Sequence, residues 1–218
     1  MRVPDPVRAP RTRRRDKLSP DPTVRREILA AASKALREHG VQGFSIAAVL
    51  DGAAVGTRSF YRHFGSKDEL VAALFLEMAR VEERRLRRRM ASATTEIDAV
   101  AAWIDGRLDL AFDDNIKSDL RRVSQEAQSQ MFASPNLVRP AYEQLLKPLI
   151  AALRGGLQHG AFHHIDPVTD AHAIHAVVWA GIERQWATGD CGRDDVRERT
   201  LRFCLQGLGV TAEAIARV

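Results

Sequence analysis

The chain has 218 residues, 45% of them hydrophobic, which suits one or two globular domains with a substantial core. Its 14 glycines and 9 prolines are ordinary numbers and exclude a fibrous or wholly disordered protein. No apolar run reaches the roughly 18 residues of a transmembrane helix, and no apolar stretch follows the first cations, so we expect neither a membrane span nor a secretory signal. The two cysteines, Cys191 and Cys204, fit no metal or disulfide pattern. We therefore expect a cytoplasmic protein with no membrane partner and no cofactor.

The net charge of +5 is unevenly distributed along the sequence. Residues 1–20 carry +5, residues 21–90 carry +4, and residues 91–218 carry −4. A basic surplus confined to the first ninety residues indicates that this part meets a polyanion and the remainder does not. The alternative is a solvated basic tail that has no partner.

The N-terminal elements begin after a basic segment without periodicity. Residues 1–18 are rich in proline and arginine, which predicts a disordered arm. The first helix is expected to start at Asp21 as N-cap, with Pro22 at its first position, and to stop at Gly40. Helical spacing of Ile28 and Leu36 supports it.

Three further helices are predicted in the next fifty residues. Ser45 is the capping residue of the second helix, and "AAVG" connects this helix to a third over about 57–64. Phe60 and Phe64 of the third helix are expected to face inward. Ser66 and Glu69 have the spacing of a capping box, so a fourth helix starts there and runs into the cationic segment "RRLRRRM".

Every segment beyond residue 95 also has helical periodicity, and none alternates as a strand does. The predicted helices cover about 96–114, 117–132, 135–159, 167–188 and 194–208. Pro140 and Pro148 lie inside the third of these and predict a kink or a split. The fold class is therefore all-α.

The second and third helices have the form of a helix-turn-helix, two short helices joined by three or four residues and packed on another. In that arrangement the second helix enters the major groove with its first residues against base edges. Hydroxyls and arginine in its first turn suit base edges, whereas the aromatic, imidazole and amine groups that follow suit phosphates. The predicted DNA contacts are Ser45, Thr57, Arg58, Ser59, Tyr61, His63 and Lys67. Each has an ordinary alternative as a packing or solvated surface residue.

The stretch "FSIAAVLDGAAVGTRSFYRHFGSKDELVAAL" resembles the DNA-binding domain of TetR-family transcriptional repressors. The match covers roughly residues 24–75, and its order and spacing agree with the family pattern. The matching positions are Ser45, Val49, Ala53, Val55, Tyr61, His63, Phe64, Lys67 and Leu70.

Two positions depart from the family pattern. Ala54 stands where a turn glycine is usual, and if that position needs a positive φ the alanine costs roughly 1 kcal/mol. Ala47 stands where the family often has an arginine that reaches DNA. The arginine-rich arm would compensate by entering a flanking minor groove.

The resemblance implies an N-terminal three-helix helix-turn-helix domain joined to a C-terminal helical domain for effector binding and dimerisation. We divide the chain into the arm (1–18), the DNA-binding domain (19–66) and the effector-binding and dimerisation domain (67–218). The function it implies is a homodimeric repressor, not an enzyme, that a small, mainly apolar effector releases from a palindromic operator on double-stranded DNA. The sequence does not identify the effector. A regulator of the same family that binds no small-molecule effector is the alternative.

The C-terminal residues are compatible with such an effector pocket, because pockets of this kind are apolar with a few polar groups. The candidates are apolar or aromatic side chains at helical spacing, together with polar residues that interrupt an apolar stripe. They are Phe75, Met78, Trp103, Arg107, Phe112, Val123, Glu126, Gln128, Met131 and Tyr142. An apolar core with a solvated opposite face is the alternative for each.

The last two long helices carry apolar stripes that suit a four-helix dimer interface. The predicted interface residues are Ile174, Val178, Trp179, Ile182, Trp186, Thr200 and Phe203. The alternative is that they complete the core of a single subunit. A two-fold dimer would place two recognition helices in successive major grooves, about 34–36 Å apart.

Five of the seven histidines lie between residues 159 and 175, which raises a competing function as a helical metal-binding protein or metalloenzyme. They are His159, His163, His164, His172 and His175. Gly160 and Pro167 interrupt the segment, and neither an HExxH motif nor a cysteine pair accompanies it. We therefore expect no metal site.

Overall fold

The computed structural model describes residues 21–116 and 118–218, and within these ranges the chain is entirely helical with no β-strand. The predicted basic arm lies outside the described residues. No helix in the described part of the chain has the length and apolarity needed to cross a bilayer. The helices are α1 (Pro22–Gly43), α2 (Ile46–Gly52), α3 (Thr57–Tyr61), α4 (Lys67–Met90), α5 (Glu96–Phe112), α6 (Ser118–Ala133), α7 (Pro135–Gln158), α8 (Pro167–Thr188), α9 (Arg193–Gly207) and α10 (Ala212–Ile215).

The helix starts follow from capping residues that the sequence displays. Asp21 accepts a hydrogen bond from the amide of Thr23, and Ser45 accepts one from Ala48. Ser66 accepts from Glu69, whose own carboxylate accepts from Gly65 rather than from Ser66. These caps confirm the predicted starts of α1, α2 and α4.

Two helix ends show how backbone conformation sets the boundaries. Gly40 has a φ of 65° and breaks helical geometry as expected, but the break is a kink inside α1, which continues to Gly43 instead of ending at Gly40. The third helix is shorter than predicted, because α3 ends at Tyr61 with Arg62 as its C-cap. Phe64 nevertheless remains buried, as predicted.

The long helix α7 is not split at its internal prolines. Pro140 and Pro148 both lie within it, although each removes one backbone hydrogen bond. Its buried face, which includes Tyr142, Leu149 and Leu153, packs against neighbouring helices. Burial of this face compensates for the lost hydrogen bonds. The short helix α10 was not predicted.

The hydrophobic side chains form two clusters that α4 connects. The first contains Phe60 and Phe64 from α3 and its C-terminal extension, and also Phe75 of α4 and Tyr142 of α7. The second fills the C-terminal bundle and includes Leu86 near the other end of α4. A displacement of α4 would therefore be felt in both clusters.

Candidate nucleic-acid interface and internal cavity

The pair α2 and α3 presents a polar ridge backed by buried aromatic side chains. Phe60 and Phe64 are 0% and 1% exposed and hold α3 against the N-terminal cluster. On the opposite side, Thr57, Arg58 and Tyr61 are exposed. This division between a buried and an exposed side is what insertion of α3 into a DNA groove requires.

The other predicted DNA contacts are partly engaged with neighbouring groups. The hydroxyl of Ser59 accepts from Arg62 at 3.4 Å, and that of Ser45 caps α2. His63 is half-buried, and its Nδ1 atom has no hydrogen-bond partner among the described residues. Lys67 Nζ lies 5.7 Å from the centre of the Phe44 ring. All seven predicted residues lie between Ser45, the N-cap of α2, and Lys67, the first residue of α4.

One cation beside this surface was not predicted. The guanidinium of Arg25 in α1 lies 5.1 Å from the centre of the Phe64 ring, which places it near the end of the α3 segment. Sequence periodicity gives no reason to single it out, because an arginine at the start of a solvated helix is ordinary. Its position next to Phe64 is visible only in the folded chain.

In the turn between α2 and α3, Ala54 occupies the position where the family pattern usually has a glycine, and it adopts a positive φ. Ala54 has a φ of 51°, in the left-handed region that glycine adopts without steric cost. Val55 follows and donates its amide hydrogen to the carbonyl of Leu50, which closes the turn. The connection thus retains its shape with alanine, at an energetic cost in backbone strain.

A cavity of about 60 Å³ lies between α4, α5, α6, α7 and α8. Five of the predicted pocket residues line it: Phe75, Met78, Arg107, Val123 and Tyr142. Eight further residues line it as well: Ala79, Glu82, Leu120, Ser124, Ala127, Ala141, Leu145 and Trp179. The helical spacing of Glu82 and Trp179 resembled ordinary surface and core positions, so only the tertiary fold shows that both face this space.

The remaining five predicted pocket residues do not line this cavity. Trp103 is fully buried in the C-terminal cluster, and Phe112 packs at the side of that cluster. Glu126 accepts from the amide of Val41, and Gln128 accepts from the Tyr142 hydroxyl. Met131 packs against the N-terminal cluster. Glu126 and Gln128 therefore support the walls instead of facing the space.

Buried charges lie at the Arg107 side of the cavity. Arg107 Nη1 donates to Glu82 Oε1 at 2.9 Å, and both side chains are almost fully buried. Burial acts to raise the pKa of Glu82, but hydrogen bonding and charge from Arg85 and Arg107 outweigh it and lower the pKa. Burial lowers the pKa of Arg107, and Glu82 opposes this effect. We therefore treat the pair as ionised.

Several polar atoms around this pair have no hydrogen-bond partner in the described part of the chain. They include Arg107 Nε, Trp179 Nε1 and both ring nitrogens of His175. Burial, and secondarily the charge of Arg107, lowers the pKa of His175 to about 3, so its ring is neutral at physiological pH. The pKa of Tyr142 is raised to about 12, chiefly by burial, so its hydroxyl stays protonated. Unpaired buried donors of this kind call for an explanation such as a ligand or water.

Most predicted dimer residues are buried inside the subunit. Ile174, Val178, Trp179, Ile182 and Thr200 are at most 5% exposed, and Trp186 is half-buried. Phe203, by contrast, is 66% exposed on α9. Apolar residues of a helix that are buried in the core of their own subunit cannot also form the helix face that contacts a second subunit. The outer surfaces of α8 and α9 instead form a groove whose lining includes Ala180, Gly181, Arg199 and Phe203.

The histidines of residues 159–175 do not gather into a site. His159 contacts Glu96, His172 is exposed, and His175 is buried. Within residues 21–116 and 118–218 no group of three or more histidine, cysteine or acidic side chains is placed to hold a metal ion. The geometry therefore gives no support to the metalloprotein alternative.

Comparison with known proteins adds to these observations. The family described as "Bacterial regulatory proteins, tetR family" matches residues 28–74, which contain α2, α3 and the start of α4. The HTH-type transcriptional regulator CymR of Pseudomonas putida is 33% identical over 94 residues, covering 43% of this chain and 46% of CymR. The match thus spans less than half of that relative's length. The matched family and CymR are both described as regulators, which supports the expectation that the chain is not an enzyme.

Solved structures share the fold over most of the chain. FadR of Bacillus subtilis, solved with stearoyl-CoA, has a TM-score of 0.64 at 18% identity and covers 84% of this chain and 98% of its own. RolR, solved with resorcinol, has a TM-score of 0.64 at 21% identity and covers 93% of this chain and 94% of its own. At such identities the likeness establishes the all-α architecture alone.

Proposed function

We propose that this chain, which its N-terminal domain identifies as a member of the TetR family of helix-turn-helix regulators, is a homodimeric repressor that a small, mainly apolar effector releases from a palindromic operator. The observation that carries the proposal is the exposed polar ridge of α3, backed by Phe60 and Phe64. In this proposal the helix sits in the major groove of double-stranded DNA. A cytoplasmic location accompanies this function.

The roles of the side chains follow from their chemistry. Thr57, Arg58 and Ser59 read base edges, and arginine pairs bidentately with a guanine. Tyr61, His63, Lys67 and the capped start of α2 at Ser45 hold phosphates. Arg25, beside Phe64, adds a further cation for the backbone. These residues are the proposed DNA interface.

Release of DNA by an effector requires that the effector bind better to a dimer with a different spacing of its α3 helices. The cavity provides the site, and α4 provides the connection, because Phe75 and Met78 line the cavity on the helix that begins beside α3. FadR and RolR have been solved with small molecules, which supports ligand binding in this architecture. The proposed effector pocket consists of the residues that line this cavity.

The dimer is proposed to form through the outer surfaces of α8 and α9. Ala180 is small and exposed, which allows close approach of a second helix, and Phe203 presents an exposed aromatic ring. Two-fold symmetry then pairs each surface with its own copy. The buried residues predicted from the sequence contribute by shaping these helices from within.

Selection of bound duplexes from a random DNA library tests the function without knowledge of the operator. We expect enrichment of an inverted repeat whose half-sites lie about one helical turn apart, 10–10.5 base pairs, or a multiple of it. Enrichment of no sequence over the starting library would contradict the proposed function. Enrichment of a single unrepeated half-site would contradict the dimer but retain DNA binding.

A further inference from the structure

The polar end of the cavity consists of groups whose hydrogen-bonding capacity is incompletely used. Arg107 lines the cavity, is 3% exposed, and donates from Nη1 to Glu82 Oε1. Its Nε atom is buried without a partner in the described ranges. Trp179 also lines the cavity, is 4% exposed, and has an unpartnered Nε1–H. Two buried donors therefore border the same space.

Glu82 does not balance the positive charge at the Arg107 side of the cavity, because its one carboxylate accepts hydrogen bonds from two guanidinium groups. Arg85 donates from Nε to Glu82 Oε2 at 2.8 Å and from Nη2 to Oε1 at 2.9 Å. Arg107 shares the Oε1 atom. One carboxylate between two guanidiniums leaves an excess of one positive charge, which is unfavourable in a buried place.

The neighbouring carboxylate does not remove this excess. Asp109 accepts from Arg85 at 3.3 Å and pairs with both Arg89 and Arg193 at 2.9 Å. Four guanidiniums thus surround two carboxylates in this cluster. Arg107 is the most deeply buried of the four, and it is the one in the cavity wall. An anion placed beside Arg107 would balance the charge and use the free donors.

The rest of the cavity is apolar and aromatic. Phe75, Met78 and Leu145 line it, and the hydroxyl of Tyr142 is already committed to Gln128. A ligand that fits both ends has one anionic group and a compact apolar body. The size of the cavity, about 60 Å³, restricts that body to a few carbon atoms unless the walls move.

We infer that the effector is a small apolar monocarboxylate whose carboxylate accepts hydrogen bonds from Arg107 and Trp179 while its body contacts Phe75, Met78 and Leu145. This inference rests on the proposed function, since it names the chemical class of the ligand for the same cavity. The carboxylate gains charge-assisted hydrogen bonds that a neutral amide of equal shape does not. A comparison of the affinities of the acid and its amide therefore separates the contribution of charge from the contribution of shape.

The test compares butyrate with butyramide and benzoate with benzamide by calorimetric titration and by thermal unfolding of the full-length protein. We expect at least one acid to bind at least ~10-fold more tightly than its amide and to raise the melting temperature at about 10 mM. Equal affinity of acid and amide would overturn the inference. Absence of any shift with both acids at that concentration would overturn it as well.

Matched variants locate the charge preference. Arg107→Met leaves Glu82 paired with Arg85, so we expect it to fold and to lose the preference for the acid over the amide. Met131→Leu is the matched control, because Met131 packs against the N-terminal cluster and does not line the cavity, and it should retain the preference. If Arg107→Met does not fold, Trp179→Phe removes one donor and keeps a ring, and it should reduce the preference several-fold. An unchanged preference for the acid over the amide in Arg107→Met would overturn the placement of the carboxylate beside Arg107 and Trp179. If Arg107→Met does not fold, an unchanged preference in Trp179→Phe would overturn it.

The DNA experiment separates failure of this inference from failure of the proposed function. A selected palindrome together with no preference for acids would refute the monocarboxylate and leave the regulator intact. Acid binding at Arg107 without selection of any DNA would support the ligand class and refute the repressor. Each of the two measurements is made independently of the other.

Discussion

The conformation of a single alanine in the turn between α2 and α3 gives a stability prediction. Ala54 has a φ of 51°, whereas its neighbour Ala53 has a φ of −92°. Ala54→Gly should raise the free energy of unfolding by about 1 kcal/mol, because glycine adopts this conformation without the Cβ clash. Ala53→Gly is the matched control and should lower it by about 0.5–1 kcal/mol, since glycine gains only unfolded-state entropy there. Urea unfolding measures both, and a destabilised Ala54→Gly protein would refute the strain argument.

The buried imidazole of His175 predicts a loss of stability in mild acid. Its pKa is about 3 in the folded protein and 6.5 as a model value, so between these values the unfolded state binds more protons. The stability it contributes is complete above about pH 6.5 and is lost as the pH falls toward 3. From pH 6.5 to about 4.5 the free energy of unfolding should fall by roughly 2 kcal/mol on this account.

Replacement of the histidine tests that pH dependence. His175→Phe should flatten the curve of unfolding free energy between about pH 6.5 and 4.5. His172→Phe, exposed on the same helix, should leave the curve as in the wild type. The pair is compared by denaturant titration at several pH values. An equally steep fall in His175→Phe would assign the acid sensitivity to other groups.

At the scale of helices, α6 forms a second connection between the cavity and the DNA-binding domain. Ser124 and Ala127 of α6 line the cavity, and Glu126 on the same helix accepts from the amide of Val41 at 3.2 Å. Val41 directly follows Gly40, where α1 loses helical geometry. A ligand that displaces α6 would thus act on α1 as well as on α4.

Hydrogen exchange at the amide of Val41 tests this connection. Glu126→Ala removes the acceptor, so the Val41 amide should exchange faster and the free energy of unfolding should fall by about 1 kcal/mol. Glu126→Gln retains a carbonyl acceptor and should preserve much of the protection. Equal protection of Val41 in the wild type and in Glu126→Ala would show that α6 does not hold α1 through this bond.

Helix order and helix starts were predictable from the sequence because caps are local. Asp21, Ser45 and Ser66 each bond an amide two or three residues along the chain, so the chain displays them directly. The cavity was predicted only in part, because Glu82 and Trp179 come from helices far apart in sequence. A buried glutamate reads as a surface residue until Arg85 and Arg107 are placed around it.

The residues predicted for a dimer interface show the same limit more strongly. An apolar stripe predicts that one face of a helix is buried but not whether its own subunit or a partner covers it. In α8 the subunit's own core covers Val178 and Ile182. The candidate outer surface includes charged and small residues such as Arg184, Arg199 and Ala180, and these carry no signal in a hydrophobic pattern.

At the scale of the whole molecule, dimerisation should depend on the exposed ring of Phe203. Phe203→Asp places a charge in the proposed α8–α9 interface and should shift the protein toward monomer in analytical ultracentrifugation. Phe132→Asp is the matched control, because Phe132 is 87% exposed on α6, outside the α8–α9 groove. It should sediment as the wild type does. A Phe203→Asp protein that remains dimeric would place the interface elsewhere.

Titration of the selected duplex by fluorescence anisotropy tests whether α3 of a two-fold dimer reads DNA. We expect two protomers per duplex and a loss of about 1–3 kcal/mol for Arg58→Ala, with relaxed preference at one base position per half-site. Lys67→Ala should weaken binding to all sequences and reduce the salt dependence by about one phosphate contact. Arg139→Ala, which removes an equal charge from the exposed face of α7, should bind as the wild type does. Full affinity and unchanged base preference in Arg58→Ala would show that α3 does not read the bases through this arginine.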